Sequence, residues 1–388
     1  MAPTIEKVSN HVPEDIIFSI FSKLPLKSVH RFTCVRKSLT LLFQNPIFMN
    51  MFGKNMVSKY HSLHDDEAIL LLNHFDNIHR QCKLYLLSDE KFESKAQLNW
   101  PCPFSPNYGP SNPHIVGSAI NGILCICDTE YSYRIVLWNP ATDELTRVPQ
   151  SRAGLYHEYE THFVIHGFGY DHVKDDYKII QRIVYIGGLE DYWQSVPSGP
   201  FWELYSFRNN SWKKINVDMR QRYLMSDEGV EVYLNGVCYW WGKTDHETYV
   251  VSFNLTNEMH TTTLFPFNLD DFKRVDRHLA VLNGHVAMIL SYVKKTSPSF
   301  NISISVLGEA GVAESWTKLF EVRPLSCIEH PIGSGKKGNV FFRKDDDELA
   351  CLDLSTGVVE NIGIKAKRYY SQVVVYKKNF LSVGGMIN

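Results

Sequence analysis

Leu137-Trp138-Asn139-Pro140-Ala141-Thr142-Asp143-Glu144 decides the fold. A strand-length apolar burst runs into a polar turn rich in Asn, Pro and Asp, and a second strand begins beyond it. The unit recurs at 86–92 (Leu-Leu-Ser-Asp-Glu-Lys-Phe), 206–212 (Ser-Phe-Arg-Asn-Asn-Ser-Trp) and 252–258 (Ser-Phe-Asn-Leu-Thr-Asn-Glu). It returns again at 306–310 (Val-Leu-Gly-Glu-Ala) and 351–357 (Cys-Leu-Asp-Leu-Ser-Thr-Gly). A second landmark precedes several of these: Asn121-Gly122, Asn235-Gly236, Asn283-Gly284 and Gly338-Asn339 each launch an apolar strand. Asn-Gly is a strong hairpin signal, because a type I′ turn needs two successive positive φ angles.

Outward from these landmarks, residues 67–388 read as β throughout. Candidate strands are Ile69–Asn73, Lys83–Leu87, Ile123–Cys127, Ile135–Trp138, Phe163–Tyr170, Tyr177–Tyr185 and Trp202–Phe207. They continue with Glu231–Trp241, Val250–Phe253, His285–Tyr292, Ile302–Val306, Val340–Phe342 and Val373–Tyr376. Leu269–Arg274 is the one stretch besides a few loops with helical character. Units spaced by roughly 45 to 70 residues suit the four-stranded blades of a β-propeller. The fold expected is therefore mainly β, a six-bladed propeller, with a β-sandwich or open repeat array as the alternative. The longest interval, between Asn139 and Arg208, must hold an insertion in its loops. The stretch Val373 to Val383 is expected to pair into the first blade, closing the ring and removing a free sheet edge.

The N-terminal 10–50 have a different texture. Pro13 fits the first helical position, with Glu14 and Asp15 at the positive end of the helix dipole. Ile16, Ile17, Ile20, Phe21 and Leu24 recur at helical spacing, and Leu24-Pro25 ends that helix. A second helix carries Val29 and Phe32; a third carries Leu39, Leu42 and Phe43 and stops at Asn45-Pro46. With Phe18, Phe21 and Phe32 added, the first helix is apolar on more than one face. A unit of about 40 residues is near the lower limit for independent folding. Its surplus apolar surface is expected to be covered either by a second protein or by the rest of this chain. Residues 51–66 read as a helical extension and linker.

The N-terminal pattern resembles an F-box: Pro13, Ile20, Leu24-Pro25, Lys27-Ser28, Arg31-Phe32, Cys34-Val35, Lys37-Ser38, Pro46 and Phe48 all fall on it. One departure is Leu39, where the family usually has Trp; the site stays apolar and loses aromatic area. The remainder resembles the F-box-associated, kelch-like domain of plant F-box proteins, including the S-locus type. The matching pieces are Gly117-Ser118 with Asn121-Gly122 and Leu124-Cys125, Leu137–Thr142, Gly167-Phe168-Gly169-Tyr170-Asp171 with Asp176-Tyr177-Lys178, and Leu234–Val237 with Tyr239-Trp240. Phe253-Asn254-Leu255, Glu314–Lys318 and Leu352-Asp353-Leu354 complete the trail. The resemblance implies a non-catalytic, substrate-recruiting subunit of an SCF-type cullin-RING ubiquitin ligase. A Skp-family adaptor, with cullin and RING subunits behind it, would bind the F-box, and a protein target the propeller. For the adaptor interface and its supporting helix core, the residues implied are Pro13, Ile16, Ile20, Leu24, Pro25, Val29, Phe32, Val35 and Leu39. Two rivals remain: a scaffold that binds the adaptor without building a ligase, and a propeller enzyme with carboxylates or metal ligands converging on its channel.

Bulk properties narrow the field. The 388 residues carry a net charge of −2, with lysine pairs scattered, which argues against a nucleic-acid partner. No apolar run approaches the ~20 residues of a membrane span, and the N-terminus lacks the apolar core of a signal peptide. Cytoplasm or nucleus is expected. The eight cysteines lack paired Cys-x-x-Cys spacing and read as buried free thiols.

Several signals resemble chemistry. Gly333-Ser334-Gly335-Lys336-Lys337-Gly338-Asn339-Val340 spells a glycine-rich nucleotide loop, yet no kinase motifs follow, and a strand stands where a dinucleotide loop needs a helix. It reads as a turn. His157, His162, His166 and His172 cluster in sequence, but on a strand positions four apart lie about 13 Å from each other, so no metal is expected. Asp345-Asp346-Asp347-Glu348 reads as a solvated turn. No cofactor or catalytic residue is assigned. Candidate target-binding residues come from two long aromatic loops, 152–162 (Tyr156, Tyr159) and 187–202 (Tyr192, Trp193, Phe201, Trp202), since aromatics dominate interface hot spots.

Overall fold

The computed structural model describes residues 14–52 and 68–380, apart from 88–94, 105–110, 129–133, 153–159, 187–200, 220–230, 266–271, 323–327, 367–370 and positions 25, 34, 36, 46, 50, 77, 78, 80, 218, 245, 246, 336 and 337. Three helices, α1 (Glu14–Phe21), α2 (Leu26–Thr33) and α3 (Lys37–Gln44), precede the strands. The first is shorter than the apolar spacing suggests. It tightens after Phe21, where the N–H groups of Lys23 and Leu24 donate to the carbonyls of Ile20 and Phe21 at 3.2 Å. Asn45 follows α3 and caps the next helical turn, its Oδ1 accepting the N–H of Ile47 at 2.9 Å.

The strands come in groups of four. β1 (Ala68–Asp76), β2 (Gln81–Leu87) and β3 (Lys95–Leu98) open the series. β4 (Pro113–Ile115), β5 (Leu124–Asp128), β6 (Ile135–Asn139) and β7 (Glu144–Arg147) form blade 2. Blade 3 is β8 (Glu160–Asp171), β9 (Asp176–Ile186), β10 (Phe201–Ser206) and β11 (Ser211–Ile215). Blade 4 is β12 (Val232–Leu234), β13 (Val237–Lys243), β14 (Thr248–Asn254) and β15 (His260–Leu264). Blade 5 is β16 (Phe272–Leu282), β17 (His285–Lys294), β18 (Ser297–Leu307) and β19 (Trp316–Val322). Blade 6 is β20 (Ile328–Ser334), β21 (Asn339–Lys344), β22 (Glu348–Asp353) and β23 (Val359–Lys365). β24 (Ser371–Lys377) then pairs antiparallel with β1, Leu72 opposite Val373 and Leu70 opposite Val375, and becomes the first strand of blade 1. The expected closure is present.

Six hydrophobic clusters fill the six seams of this ring. Leu71, Leu84 and Tyr376 meet Leu124 and Trp138 between blades 1 and 2; Leu137 meets Phe168 and Ile179 between 2 and 3. Trp202 meets Trp240, Trp241 meets Met288, and Leu72 meets Phe341 in the seams 3–4, 4–5 and 6–1. The seam 5–6 joins Ile289 and Ile304 to Phe342 and Leu352. Strands between two seams are buried on both faces, as β5 and β6 are throughout, while the outer strand β7 is half-buried and β23 is largely exposed.

Among the described residues, five of the recurring units are the connection from third to fourth strand, one in each of blades 2 to 6; of the sixth, 88–92 lie outside the described residues. The Asn-Gly pairs connect first to second strands, with φ of 52° and 78° at Asn121-Gly122, 50° and 83° at Asn235-Gly236, and 51° and 73° at Asn283-Gly284. Because strands alternate in direction, both kinds of turn lie at one rim of the disc, the turn rim. Two expectations need correction, and a third is filled in. Glu231–Trp241 is two strands, folded at Asn235-Gly236. Phe272–Arg274 is strand, its Phe272 and Val275 packed in the seam 4–5, so the helical reading of 269–274 fails there; 269–271 lie outside the description. The interval from Asn139 to Arg208 holds, besides loops, the 12- and 11-residue strands β8 and β9.

The glycine-rich 333–340 is a hairpin between β20 and β21, where Gly335 N–H donates to Asn339 O at 2.8 Å. Gly333 lies at the point of closure. It makes the one parallel pairing that joins blade 6 to β24, opposite Val373. At φ +155° a Cβ there would stand 2.3 Å from Val373 O, so only glycine fits. On its other side β24 reaches blade 2 through Gln372, whose amide imitates a strand: Oε1 accepts Ile115 N–H at 3.0 Å and Nε2 donates to Ile115 O at 3.1 Å.

Candidate functional site

The helices divide their apolar residues between two sides. Inward, Phe18, Phe21, Phe43 and Phe48 meet edge-on or tilted and Phe48 stacks on Phe52, with centroids 5.2 to 6.2 Å apart. Phe48 and Phe52 are fully buried. With Val29 and Phe43 they belong to the same continuous cluster as Ala280, Leu282, Val340 and Leu354 of blades 5 and 6. Those residues adjoin the turns at 283–284, 338–339 and 353–358, so the helices complete the seam 5–6 at the turn rim. Outward, Ile16, Ile20, Phe32 and Val35 are 46, 55, 36 and 71% exposed. The two halves of the expectation about surplus apolar surface are thus both present: one side is covered by the chain itself, the other is left bare.

Of the residues implied for an adaptor, Ile16, Ile20 and Val35 are exposed, and Phe32 is partly exposed with its ring edge-on to Phe21 at 5.3 Å. Leu24 and Leu39 are half-buried against the inward cluster, so leucine in place of Trp at 39 trims packing beneath that side. Val29 is buried in the inward cluster and so belongs to the supporting helix core. Pro13 and Pro25 lie outside the described residues. Leu41 and Ile47, 69 and 73% exposed, were missed by the motif reading; their apolar character beside Leu42 and Phe48, on the opposite helical side, was the available signal.

The candidate target loops fare differently. Tyr156, Tyr159, Tyr192 and Trp193 lie outside the described residues. Trp202 is a correction: it is 3% exposed, tilted against His166 at 4.9 Å and Trp240 at 5.7 Å, deep in the seam 3–4. Its β10 neighbour Phe201 faces the other way, half-buried against Tyr185 with the Lys214 ammonium 4.5 Å above its ring. The strands these loops join, β8 at its start, β9 at its end and β10 at its start, meet them at the rim opposite the turn rim.

That opposite rim carries the ionisable side chains of the inner strands. Arg274 bonds Asp276 at 2.9 Å and Glu329 at 3.3 Å, Arg343 pairs with Glu329 and Asp347, and His330 lies 4.0 Å from Asp276. Across the channel His114 of blade 2 is 3.6 Å from Glu231, which leads into blade 4. Burial, then the neighbouring His330, pulls His278 down to about 3, and burial with Arg182 does the same to His166. Both imidazoles are neutral at cellular pH. The acidic run at 345–348 is a turn whose charges Arg343 and Lys344 answer. Burial raises the Cys125, Cys127, Cys238 and Cys351 thiols, the last to about 12, which leaves them unreactive. Among the described residues no three His, Cys, Asp or Glu side chains gather as metal ligands would, and no helix is long and apolar enough to cross a membrane.

A propeller closed by its last strand, preceded by helices with a bare apolar side, meets its counterpart among known proteins. Residues 76–382 match the F-box associated beta propeller domain. The chain belongs to this family of plant F-box proteins. It is 24% identical to the F-box protein CPR1 of Arabidopsis thaliana over 403 residues, 97% of this chain and 90% of that one. A second F-box protein of that plant is 24% identical over 378 residues, 91% of each chain. Among solved structures, TolB from Acinetobacter baumannii aligns at a TM-score of 0.45 and 10% identity, covering 84% of this chain and 71% of that one.

The family's Gly-Phe-Gly-Tyr-Asp…Asp-Tyr-Lys motif acquires a physical role here. Lys178 and Asp171, both buried, form an ion pair at 2.7 Å across the β8–β9 turn. Lys178 also donates to Leu255 O of blade 4 at 2.6 Å, and Thr256 Oγ1 donates to Asp171 at 2.8 Å. A Cβ on Gly169 would stand 2.3 Å from Leu255 and 2.6 Å from Tyr233, so the glycine lets the two blades touch. The motif clasps the seam 3–4 at the turn rim.

Proposed function

We propose that this F-box protein is the target-recognition subunit of an SCF-type ubiquitin ligase, working in the cytoplasm or nucleus. The bare side of its helices binds a Skp-family adaptor, and through it cullin and RING subunits; the propeller holds a protein target. The observation that carries this reading is the exposure of Ile16, Ile20, Phe32 and Val35 on helices whose opposite side is already sealed. Each apolar side chain covered by an adaptor contributes about 1.5–3 kcal/mol before association costs. The protein's own part in ubiquitin transfer is to raise the effective concentration of the target beside the conjugating enzyme.

Ile20→Asp tests the reading. The full chain is mixed with a purified plant Skp-family adaptor, and binding is followed by calorimetry. The wild type binds and Ile20→Asp does not, at an unchanged melting temperature. Equal binding by both would remove the adaptor role. Ubiquitination of a co-purified target in a reconstituted cullin-RING system separates a ligase subunit from an adaptor-bound scaffold.

A further inference from the structure

β24 grips blade 2 from both of its ends. Near its start the Gln372 amide holds Ile115. Beyond its end, past Tyr376 buried beside Trp138 in the seam 1–2, the chain runs on along the turn rim to blade 2. Asn379 lies there between the two turns of that blade. At the third-to-fourth-strand turn, the buried Asn139 donates through Nδ2 to Asn379 O at 2.8 Å. At the first-to-second-strand turn the fit is closer: a Cβ on Gly122 would stand 2.5 Å from Asn379 Cβ and 3.0 Å from its backbone N. The matching glycine of blade 4, Gly236, has nothing within 4 Å. Both glycines have the positive φ their hairpins require, +78° and +83°, but only at 122 does a neighbouring segment also require that no side chain be present. Asn121 carries the line onward, its Nδ2 donating to Tyr177 OH of blade 3 at 3.1 Å. Of residues 377–380 Asn379 alone is half-buried; Lys377, Lys378 and Phe380 are exposed.

We propose that residues 378–380 are a strap: Asn379, seated between the turns of blade 2, shuts the seam 1–2 at the turn rim, and its release opens that seam there while the β24–β1 ladder stays paired. Three contacts divide the closure of the ring. The ladder joins β24 to β1 within blade 1, Gln372 fastens blade 1 to blade 2 away from the turn rim, and Asn379 fastens them at it. The strap holds by one hydrogen bond and one close fit, against the seven paired residues of the ladder, so it is the contact that lets go first. Its release loosens the Asn121-Gly122 turn and, through Asn121, the bond to blade 3.

Alanine at the two glycines tests the strap in the full chain. Gly236→Ala meets only the cost of positive φ, a fall of about 2–5 °C in melting temperature. Gly122→Ala must also expel Asn379 and falls about twice as far. With it, amide exchange at residues 120–124 speeds up about tenfold while blade 5 exchanges as before. Asn379→Gly, which removes the Cβ in the way, returns part of the excess. A chain ending at Lys377 shows the same fast exchange at 120–124, and in it Gly122→Ala costs no more than Gly236→Ala. A chain ending at Phe380 behaves as wild type. Equal losses from the two alanines in the full chain, or an excess at Gly122 that survives in the chain ending at Lys377, overturn the strap. So does fast exchange in the chain ending at Phe380, which would move the grip to later residues. Should the shorter chain fail to fold, the glycine pair and the Asn379→Gly rescue decide by themselves.

Discussion

The seams 3–4 and 5–6 are shut at the same rim by opposite materials. Between blades 3 and 4 the lock is polar: Asp171 and Lys178, buried together, reach Leu255 O of the next blade. Between blades 5 and 6 it is aromatic, and it comes from outside the propeller, since Phe48 and Phe52 of the helical segment complete that core. The comparison teaches that a seam of this ring can be sealed by a local ion pair or by a borrowed domain. Only the second makes the helices part of the propeller's stability.

The sharpest break is Phe48→Ala. Truncating a fully buried phenylalanine costs about 3–5 kcal/mol, and here the loss is expected in the melting of the β-region itself, read by tryptophan fluorescence. A propeller that melts unchanged would show that the helices are merely tethered. In the other seam, Asp171→Ala removes the nearest counter-charge of a buried ammonium, leaving it Leu255 O and Glu258 at 4.0 Å, and costs about 3 kcal/mol by denaturant titration. The two penalties separate with pH. Burial works against ionisation of Asp171, but the Lys178 and Thr256 hydrogen bonds outweigh it and hold the carboxyl at about 2, below its usual 3.8. Its stabilisation is present in full above the usual value and is lost as pH falls through about 2. The Asp171→Ala penalty therefore shrinks between pH 5 and pH 2, and the Phe48→Ala penalty does not. Gln372→Leu, which orphans the backbone groups of Ile115 at the ring closure, costs about 1–3 kcal/mol. Smallest is Ile20→Asp, within about 0.5 kcal/mol of wild type, because the exposed isoleucine belongs to neither lock.

The same two seams show what the chain discloses before it folds. The third-to-fourth-strand turns after Asn139, Asn254 and Asp353 and the Asn-Gly hairpins were legible, because both depend on neighbouring residues: positive φ at Asn and Gly, and an Asn or Asp side chain accepting the N–H two residues on. Contacts between distant segments were not. Nothing near Lys178 names Leu255, and nothing near Gln372 names Ile115. Trp202 was misread because it follows a long loop. Strand alternation from Leu204, equally buried, would have turned it inward, with Phe201 on the other side. On the helices, the motif supplied the pattern but not its division: which phenylalanines face the blades is fixed by a seam some 300 residues further along the chain.

That distance has a consequence on the ribosome. Phe48 and Phe52 are made well before their partners in blades 5 and 6, Ala280 to Leu354. At about 5–20 residues per second the gap is roughly 15–60 s. Through that interval the nascent helices display grease on both flanks, and a prematurely terminated product never hides the inner one.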